Sequence, residues 1–218
     1  YYLFPAYPML FAGGAVAIAG WLEGWAPSAG KLWPKVAIAG ALIALGGATA
    51  PLTLPLLSPQ SYLAFERALG MERHKTEVAH DGPLPQMFGD QFGWEELVAD
   101  VASIYRSLPP EDRAKATIFA SNYGEAGAID FFGPRYGLPK AVSGHNDYWL
   151  WGPGNATGEV VIAVGASRDE LAEIFDEVTQ ADTIVSPYAM AYETNLPVYV
   201  CRRLKRPARS YFRRLEIA

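Results

Sequence analysis

Residues 122–125 combine polar and aromatic side chains between a strand-like run and a helix-like run. In open α/β sheets, ligands bind beyond the carboxyl ends of the strands, and N–H groups at a helix start can hold an anion. Asn122, Tyr123 and Glu125 are therefore candidate binding residues. Alternatively, Asn122 caps the helix and Glu125 favours its positive end. No G-x-G-x-x-G or Walker pattern is present, so the sequence indicates no nucleotide site.

A second group of polar and aromatic residues lies in the run GHNDYWLWGPG, residues 144–154, which reads as a loop. Flat aromatic faces can stack on sugar rings, and short polar side chains can bond sugar hydroxyls. His145, Asn146, Tyr148 and Trp149 are candidate residues for contacts with a sugar or a peptide. The same composition also suits a loop that packs back on its own domain.

The sequence predicts no catalytic residue and no metal site. No nucleophile–base pair stands out, and no two carboxylates have an evident shared site. His74, His80 and Asp81 match no metal-ligand spacing and are expected in a solvated loop. The single cysteine, Cys201, excludes an internal disulfide framework, and its apolar surroundings predict a buried thiol.

The elements that would position the candidate residues alternate between strand and helix patterns, which indicates an α/β domain. We expect a mostly parallel sheet of about five strands, flanked by helices. Ser167 and Glu170 form a capping-box pattern, and the helix that follows should bury Leu171, Ile174, Phe175 and Val178. Strands are predicted over 116–121, 140–143, 159–165, 183–186 and 196–203, and further helices over 94–108 and 125–136.

The N-terminal part of the chain is almost free of charge. No Asp, Glu, Lys or Arg occurs in residues 1–22 or 36–65. Because about 20 apolar residues in a helix cross a bilayer core, two transmembrane helices are predicted, over 3–25 and 36–57. The lipid bilayer is therefore an expected partner, and two such helices are expected to belong to a larger bundle.

The short connection between the two predicted spans contains Lys31 and Lys35, and short basic loops tend to stay in the cytoplasm. Both outer ends of the hairpin would then face out. We divide the chain into a transmembrane hairpin (1–60), a juxtamembrane helix and linker (61–92) and an extracytoplasmic α/β domain (93–218). The net charge of −5 argues against nucleic acid as a partner.

The chain begins with Tyr1 inside an apolar segment, without a basic region ahead of it. We therefore expect no signal peptide, and we interpret the sequence as the C-terminal piece of a longer membrane protein.

Four strings in the sequence carry a resemblance to a known family. YYLFPAYPMLFA (1–12) is similar to a segment of a late transmembrane helix in bacterial family 39 glycosyltransferases, which resemble protein O-mannosyltransferases and the aminoarabinose transferase of lipid A. FGWEELVADVASIYRSLP (92–109), FASNYGEAGAIDFFGPRYGLP (119–139) and GHNDYWLWGPG (144–154) resemble the C-terminal periplasmic domain of a bacterial branch of that family.

The resemblance implies a polytopic enzyme with a GT-C membrane fold in the bacterial inner membrane. Such an enzyme transfers a sugar from a polyprenyl-phosphate donor to an acceptor on the outer side. Its catalytic acid lies in the first extracytoplasmic loop, which is outside this sequence, as is the lysine expected before Tyr1. By the same resemblance, Tyr1 or Tyr2 lies near the lipid phosphate. The resemblance indicates no other cofactor.

Two functions are left open by the sequence. The first is the C-terminal part of such a transferase, whose partners would be the missing N-terminal transmembrane helices, the lipid-linked sugar and an unknown acceptor. The second is a membrane-tethered periplasmic domain that binds or senses a ligand without catalysis.

Overall fold

The computed structural model describes residues 4–25, 33–71 and 82–206. The chain divides into two compact units, Tyr1–Gly70 and Met71–Ala218. Tyr1 and Tyr2 lie outside the described residues.

The first unit consists of helices. A 3-10 turn, Phe4–Ala6, leads into α1 (Tyr7–Trp25), which is followed by α2 (Trp33–Thr53) and α3 (Pro59–Ala68). Both apolar helices predicted from the sequence are confirmed, although the second begins three residues earlier and ends earlier than expected. α3 begins where Ser58 Oγ accepts a hydrogen bond from the Ser61 N–H, with Pro59 in the first turn.

Most apolar side chains of α1 and α2 are exposed in the structure. Met9, Phe11 and Val16 of α1 and Leu42 and Ile43 of α2 all present most of their surface to the surroundings. The segments Phe4–Gly24 and Trp33–Thr53 are each 21 residues long, and their length and composition would allow them to cross a membrane.

The second unit contains a five-stranded sheet with the order β2-β1-β3-β5-β4. β1 runs parallel to β2 and β3, whereas β5 runs antiparallel to both β3 and β4. The sheet is therefore mixed, and the expectation of a mostly parallel sheet was wrong. β4 is followed by β5 without a crossover helix, so the two strands pair as antiparallel neighbours. The strands are β1 (Ala116–Ala120), β2 (Ala141–Val142), β3 (Val160–Val164), β4 (Phe175–Ile184) and β5 (Leu196–Leu204).

Helices connect and cover these strands. The predicted helix after Ser167 is present with its capping box, but it ends at Ile174. Phe175 and Val178 belong to β4 instead, where they pair with Leu204 and Cys201 of β5. Two short helices, Gln86–Gly89 and Asp147–Trp151, lie where the sequence predicts a linker and a loop. The helices of this unit are α4 (Gln86–Gly89), α5 (Trp94–Ser107), α6 (Pro110–Arg113), α7 (Tyr123–Phe132), α8 (Asp147–Trp151) and α9 (Arg168–Ile174).

The core lies on both faces of the sheet. Every residue of β3 is buried, and its side chains alternate between two apolar clusters because successive residues of a strand point to opposite faces. Ile162 and Val164 join the cluster that contains residues of α5 and α7. Val161 and Ala163 join the cluster that contains Leu171 of α9. This arrangement fixes the register of the central strands, and with it the position of the residues at their ends.

We predict that Val198→Ala lowers the free energy of unfolding of the α/β unit by about 2 kcal/mol, through lost burial and a residual cavity. Val198 lies in β5 and is 0% exposed. The matched control Val185→Ala, at a residue that is 62% exposed, should change it by less than about 0.5 kcal/mol. Denaturant unfolding of the detergent-solubilised chain, followed by tryptophan fluorescence, measures both. Equal effects of the two substitutions would contradict the assignment of the core.

Candidate functional site

The carboxyl ends of β1, β2 and β3 lie at one edge of the sheet, because these three strands are parallel. Ser121 follows β1 and Gly165 follows β3. The Ser121 N–H donates to the Val164 carbonyl at 3.0 Å, and the Gly165 N–H donates to the Pro197 carbonyl at 3.0 Å. These bonds join the C-terminal ends of β1 and β3 to each other and to the N-terminal end of β5, next to the start of α7.

Asn122 caps α7, as the alternative interpretation of the sequence expected. Its Oδ1 accepts hydrogen bonds from the N–H groups of Gly124 (2.7 Å) and Glu125 (3.0 Å). The Glu125 carboxyl group in turn accepts from the Asn122 N–H at 3.3 Å, which completes a capping box. The N–H groups of Gly124 and Glu125, which we considered as anion ligands, are therefore bonded within the chain.

Glu125 is a buried side chain, with 1% of its surface exposed. Its Oε2 accepts from both the N–H (3.0 Å) and the hydroxyl (3.3 Å) of Ser121, besides the Asn122 N–H. Gly165 leaves the space for this carboxyl group: its φ is +72°, and a Cβ there would lie 2.5 Å from Glu125 Oε1. The carboxyl group of Glu125 thus fills the edge of the sheet where an α/β protein commonly holds a ligand.

Glu193, which the sequence did not identify, is the second buried acid at this edge. It lies in the 3-10 turn Ala191–Glu193, and 8% of its surface is exposed. Asn122 Nδ2 donates to Glu125 Oε1 at 3.4 Å and to Glu193 Oε1 at 3.3 Å. The second oxygen, Glu193 Oε2, is buried and has no hydrogen-bond partner among the residues that the structure describes. No carboxylate pair with an evident shared site stands out in the sequence, whereas in the structure these two carboxyl groups share Asn122 as a hydrogen-bond donor.

Burial changes the proton affinity of both groups. It raises the pKa of Glu125 to about 7, although the hydrogen bonds from Asn122 and Ser121 act in the opposite direction. Burial and then the charge of Glu125 raise the pKa of Glu193 to about 7, with a smaller contribution from Asp90. The pair can therefore hold a proton at neutral pH, where an exposed carboxyl group would be ionised.

Residues 82–93, most of which we had placed in the linker, contribute to the support of this edge. The Tyr192 hydroxyl donates to Asp90 Oδ1 at 2.5 Å, and the Trp94 indole N–H donates to the Asp90 carbonyl at 2.7 Å. The Trp94 ring lies against the start of α7, where a Cβ on Gly124 would be 2.8 Å from a ring carbon. Through these contacts, Asp90 and Trp94 support both the turn that contains Glu193 and the N-terminus of α7.

Tyr123 and His145 are brought together at the outer side of the same edge. Their rings meet edge to face with centroids 5.0 Å apart. Tyr123 is 53% exposed, whereas His145 is half-buried. The backbone N–H of His145 donates to Ser143 Oγ at 3.2 Å. Four of the predicted residues, Asn122, Tyr123, Glu125 and His145, thus gather at the ends of β1 and β2.

The other predicted residues of the 144–154 run lie on or beside α8. The Tyr148 hydroxyl donates to Asp130 Oδ2 of α7 at 3.1 Å, and its ring contacts the Trp151 ring with centroids 4.8 Å apart. Tyr148 therefore packs back on its own domain. Trp149 is half-buried, and Asn146 is exposed with a φ of 52° at the start of α8.

Within the described parts of the chain, no group of three or more His, Cys, Asp or Glu side chains could hold a metal ion. His74, His80 and Asp81 lie outside those parts. Cys201 is a buried free thiol, and burial raises its pKa to about 12.

No family model matches the chain, and no curated protein or solved structure is significantly similar to it.

We predict opposite effects for two Gly→Ala substitutions in α7. Gly127→Ala meets open space and should stabilise the helix by about 0.5–1 kcal/mol. Gly124→Ala would meet the Trp94 ring and should destabilise the domain by about 1–3 kcal/mol and shift the Trp94 indole NMR resonance. Denaturant unfolding and two-dimensional NMR of the tryptophan side chains measure these effects. An undisturbed Trp94 signal in Gly124→Ala would contradict the packing described above.

Proposed function

We propose that this chain is the C-terminal part of a polytopic membrane glycosyltransferase, which transfers a sugar from a polyprenyl-phosphate donor to an extracytoplasmic acceptor. The observation that carries the membrane part of this proposal is the exposure of most apolar side chains of α1 and α2 within a chain that buries other apolar side chains well. A lipid environment would cover α1 and α2, and the two helices would form the end of a larger membrane bundle.

The positions of the family-like strings support the transferase assignment. The string 119–139 covers the end of β1, all of α7 and Gly137, and the string 144–154 covers α8 and His145. The parts of the sequence that resemble family 39 glycosyltransferases therefore include the carboxyl edge of the sheet and the Tyr123–His145 contact.

In this function the α/β unit faces the outer, periplasmic side of the bacterial inner membrane. Lys31, between α1 and α2, and Lys35, in the first turn of α2, favour a cytoplasmic position for that end of the hairpin. The end of α2 and the residues that follow it would then lie on the outer side.

The α/β unit would contribute contacts with the acceptor rather than the chemical step. In the transfer, the acceptor hydroxyl attacks the anomeric carbon of the sugar, a carboxylate accepts the hydroxyl proton, and the lipid phosphate leaves. Glu125 and Glu193 are buried in the sheet edge, so neither is placed to be that base. Tyr123 and His145 are the accessible pair that could contact a sugar or peptide acceptor.

A transfer assay on the full-length protein in proteoliposomes, with a polyprenyl-phosphate-linked sugar, tests this function. We expect Tyr123→Ala and His145→Ala each to raise the KM for the acceptor by about tenfold, with a smaller effect on kcat, since they would remove binding contacts. Glu173→Ala, on an exposed residue of α9, is the matched control and should leave both constants unchanged. Absence of transfer from every polyprenyl-phosphate sugar would contradict the transferase function, and unchanged kinetics in both variants would contradict the acceptor site.

The second candidate is a membrane-tethered domain that binds a ligand without catalysis. The Tyr123–His145 contact favours it, because both rings belong to the α/β unit itself and need no residue from elsewhere. Saturable binding of a sugar or peptide that Tyr123→Ala abolishes, in a full-length protein without transferase activity, would establish this candidate.

A further inference from the structure

We propose that Glu125, Asn122 and Glu193 form a proton-dependent latch that holds the segment between β4 and β5 against the start of α7. Loss of the proton from Glu193 releases this segment and uncovers the carboxyl edge of the sheet. The inference is independent of the proposed function, because it rests on contacts within the α/β unit.

The latch joins two parts of the chain that are distant in sequence. Asn122 and Glu193 are 71 residues apart, and the hydrogen bond between them connects α7 to the turn Ala191–Glu193. Asn122 Oδ1 is already committed to the N–H groups of α7, so its amide orientation is fixed and both Nδ2 hydrogens face the two carboxyl groups.

The hydrogen-bond donors around Glu125 and Glu193 are too few to compensate two negative charges. Glu125 Oε2 receives three hydrogen bonds, which fixes it as an acceptor. Within the described ranges, the Glu193 carboxyl group receives one hydrogen bond, from Asn122, and its buried Oε2 has no partner. Among the described residues, no Lys, Arg or His side chain makes an ion pair with either group. A buried carboxylate with so little compensation is costly, so the closed arrangement retains a proton.

Other titratable groups near the pair act in the same direction. Asp90 faces Glu193 and disfavours its ionisation, and it accepts the hydrogen bond from the neutral Tyr192 hydroxyl. Ser121, Gly165 and the Trp94–Gly124 contact complete the surroundings on the side of Glu125 and add no charge.

The direction of the pH effect follows from these surroundings. In the released segment the Glu193 carboxyl group ionises with its ordinary pKa of about 4.5, whereas in the closed arrangement its pKa is raised to about 7. The closed state therefore binds more protons between these values, and the stability of the latch is complete below about pH 4.5 and is lost as the pH rises through about 7.

Hydrogen exchange of the full chain in detergent tests the latch. The informative amides are Ser186, which donates to Thr194 Oγ1, and Glu193, which donates to the Met190 carbonyl. After correction for the intrinsic exchange rate, we expect the opening of both to increase at least about tenfold from pH 5 to pH 7.5. The amide of Val200 in β5 should stay better protected at both values, which distinguishes local release from global unfolding.

Glu193→Gln keeps the side chain neutral and should remove most of this pH dependence, whereas Glu173→Gln, an exposed control, should behave like the unmodified protein. Opening that differs by less than about twofold between the two pH values in the unmodified protein would overturn the proposal. An unchanged pH dependence in Glu193→Gln would overturn it too. Should Glu193→Gln fail to fold, the measurement on the unmodified protein decides by itself.

Discussion

Apolar side chains must be removed from water. The α/β unit buries most of its apolar strand side chains with its own residues, whereas the helical unit leaves most of those of α1 and α2 exposed. The α/β unit covers both faces of β3 with its own helices, so that its strand side chains are buried in two clusters. In contrast, α1 and α2 expose residues such as Phe11 and Ile43. This difference is the physical basis for the proposal that the first unit lies in lipid.

The same burial determines the chemistry of that edge. Because β1 and β3 end side by side, Ser121, Asn122 and Gly165 form a small enclosed space that Glu125 enters from α7. An ionised side chain is tolerated poorly in such a space, and the charge of Glu125 adds to the cost of ionising the neighbouring Glu193. The inner part of the edge is therefore occupied by the protein's own carboxyl groups. In the proposed function, contact with another molecule therefore falls to the outer side, where Tyr123 and His145 meet.

Features set by neighbouring residues could be predicted from the sequence, whereas features set by distant pairing could not. The spacing of Leu97, Val98 and Val101 correctly predicts α5, and Ser167 with Glu170 correctly predicts the start of α9. Phe175 and Val178 also fit helical spacing, but their pairing with β5 places them in a strand, since tertiary contacts override local pattern. Strand direction depends on such pairing too. Glu193 lies in an irregular segment, so no periodic signal connects it with Asn122.

The central claim, that α1 and α2 lie in lipid, is tested most directly by nitroxide labels at Leu10→Cys and Ile43→Cys in bilayers, in a Cys201→Ala background. Both residues are exposed in the structure, and so is Thr179 of β4, which provides a control position. The account predicts that labels in α1 and α2 collide more often with oxygen, which enriches in lipid, than with a water-soluble nickel chelate, and that a label at Thr179→Cys shows the reverse. Preferential collision of the helix labels with the nickel chelate, or a chain that is monodisperse in buffer without detergent, would contradict it.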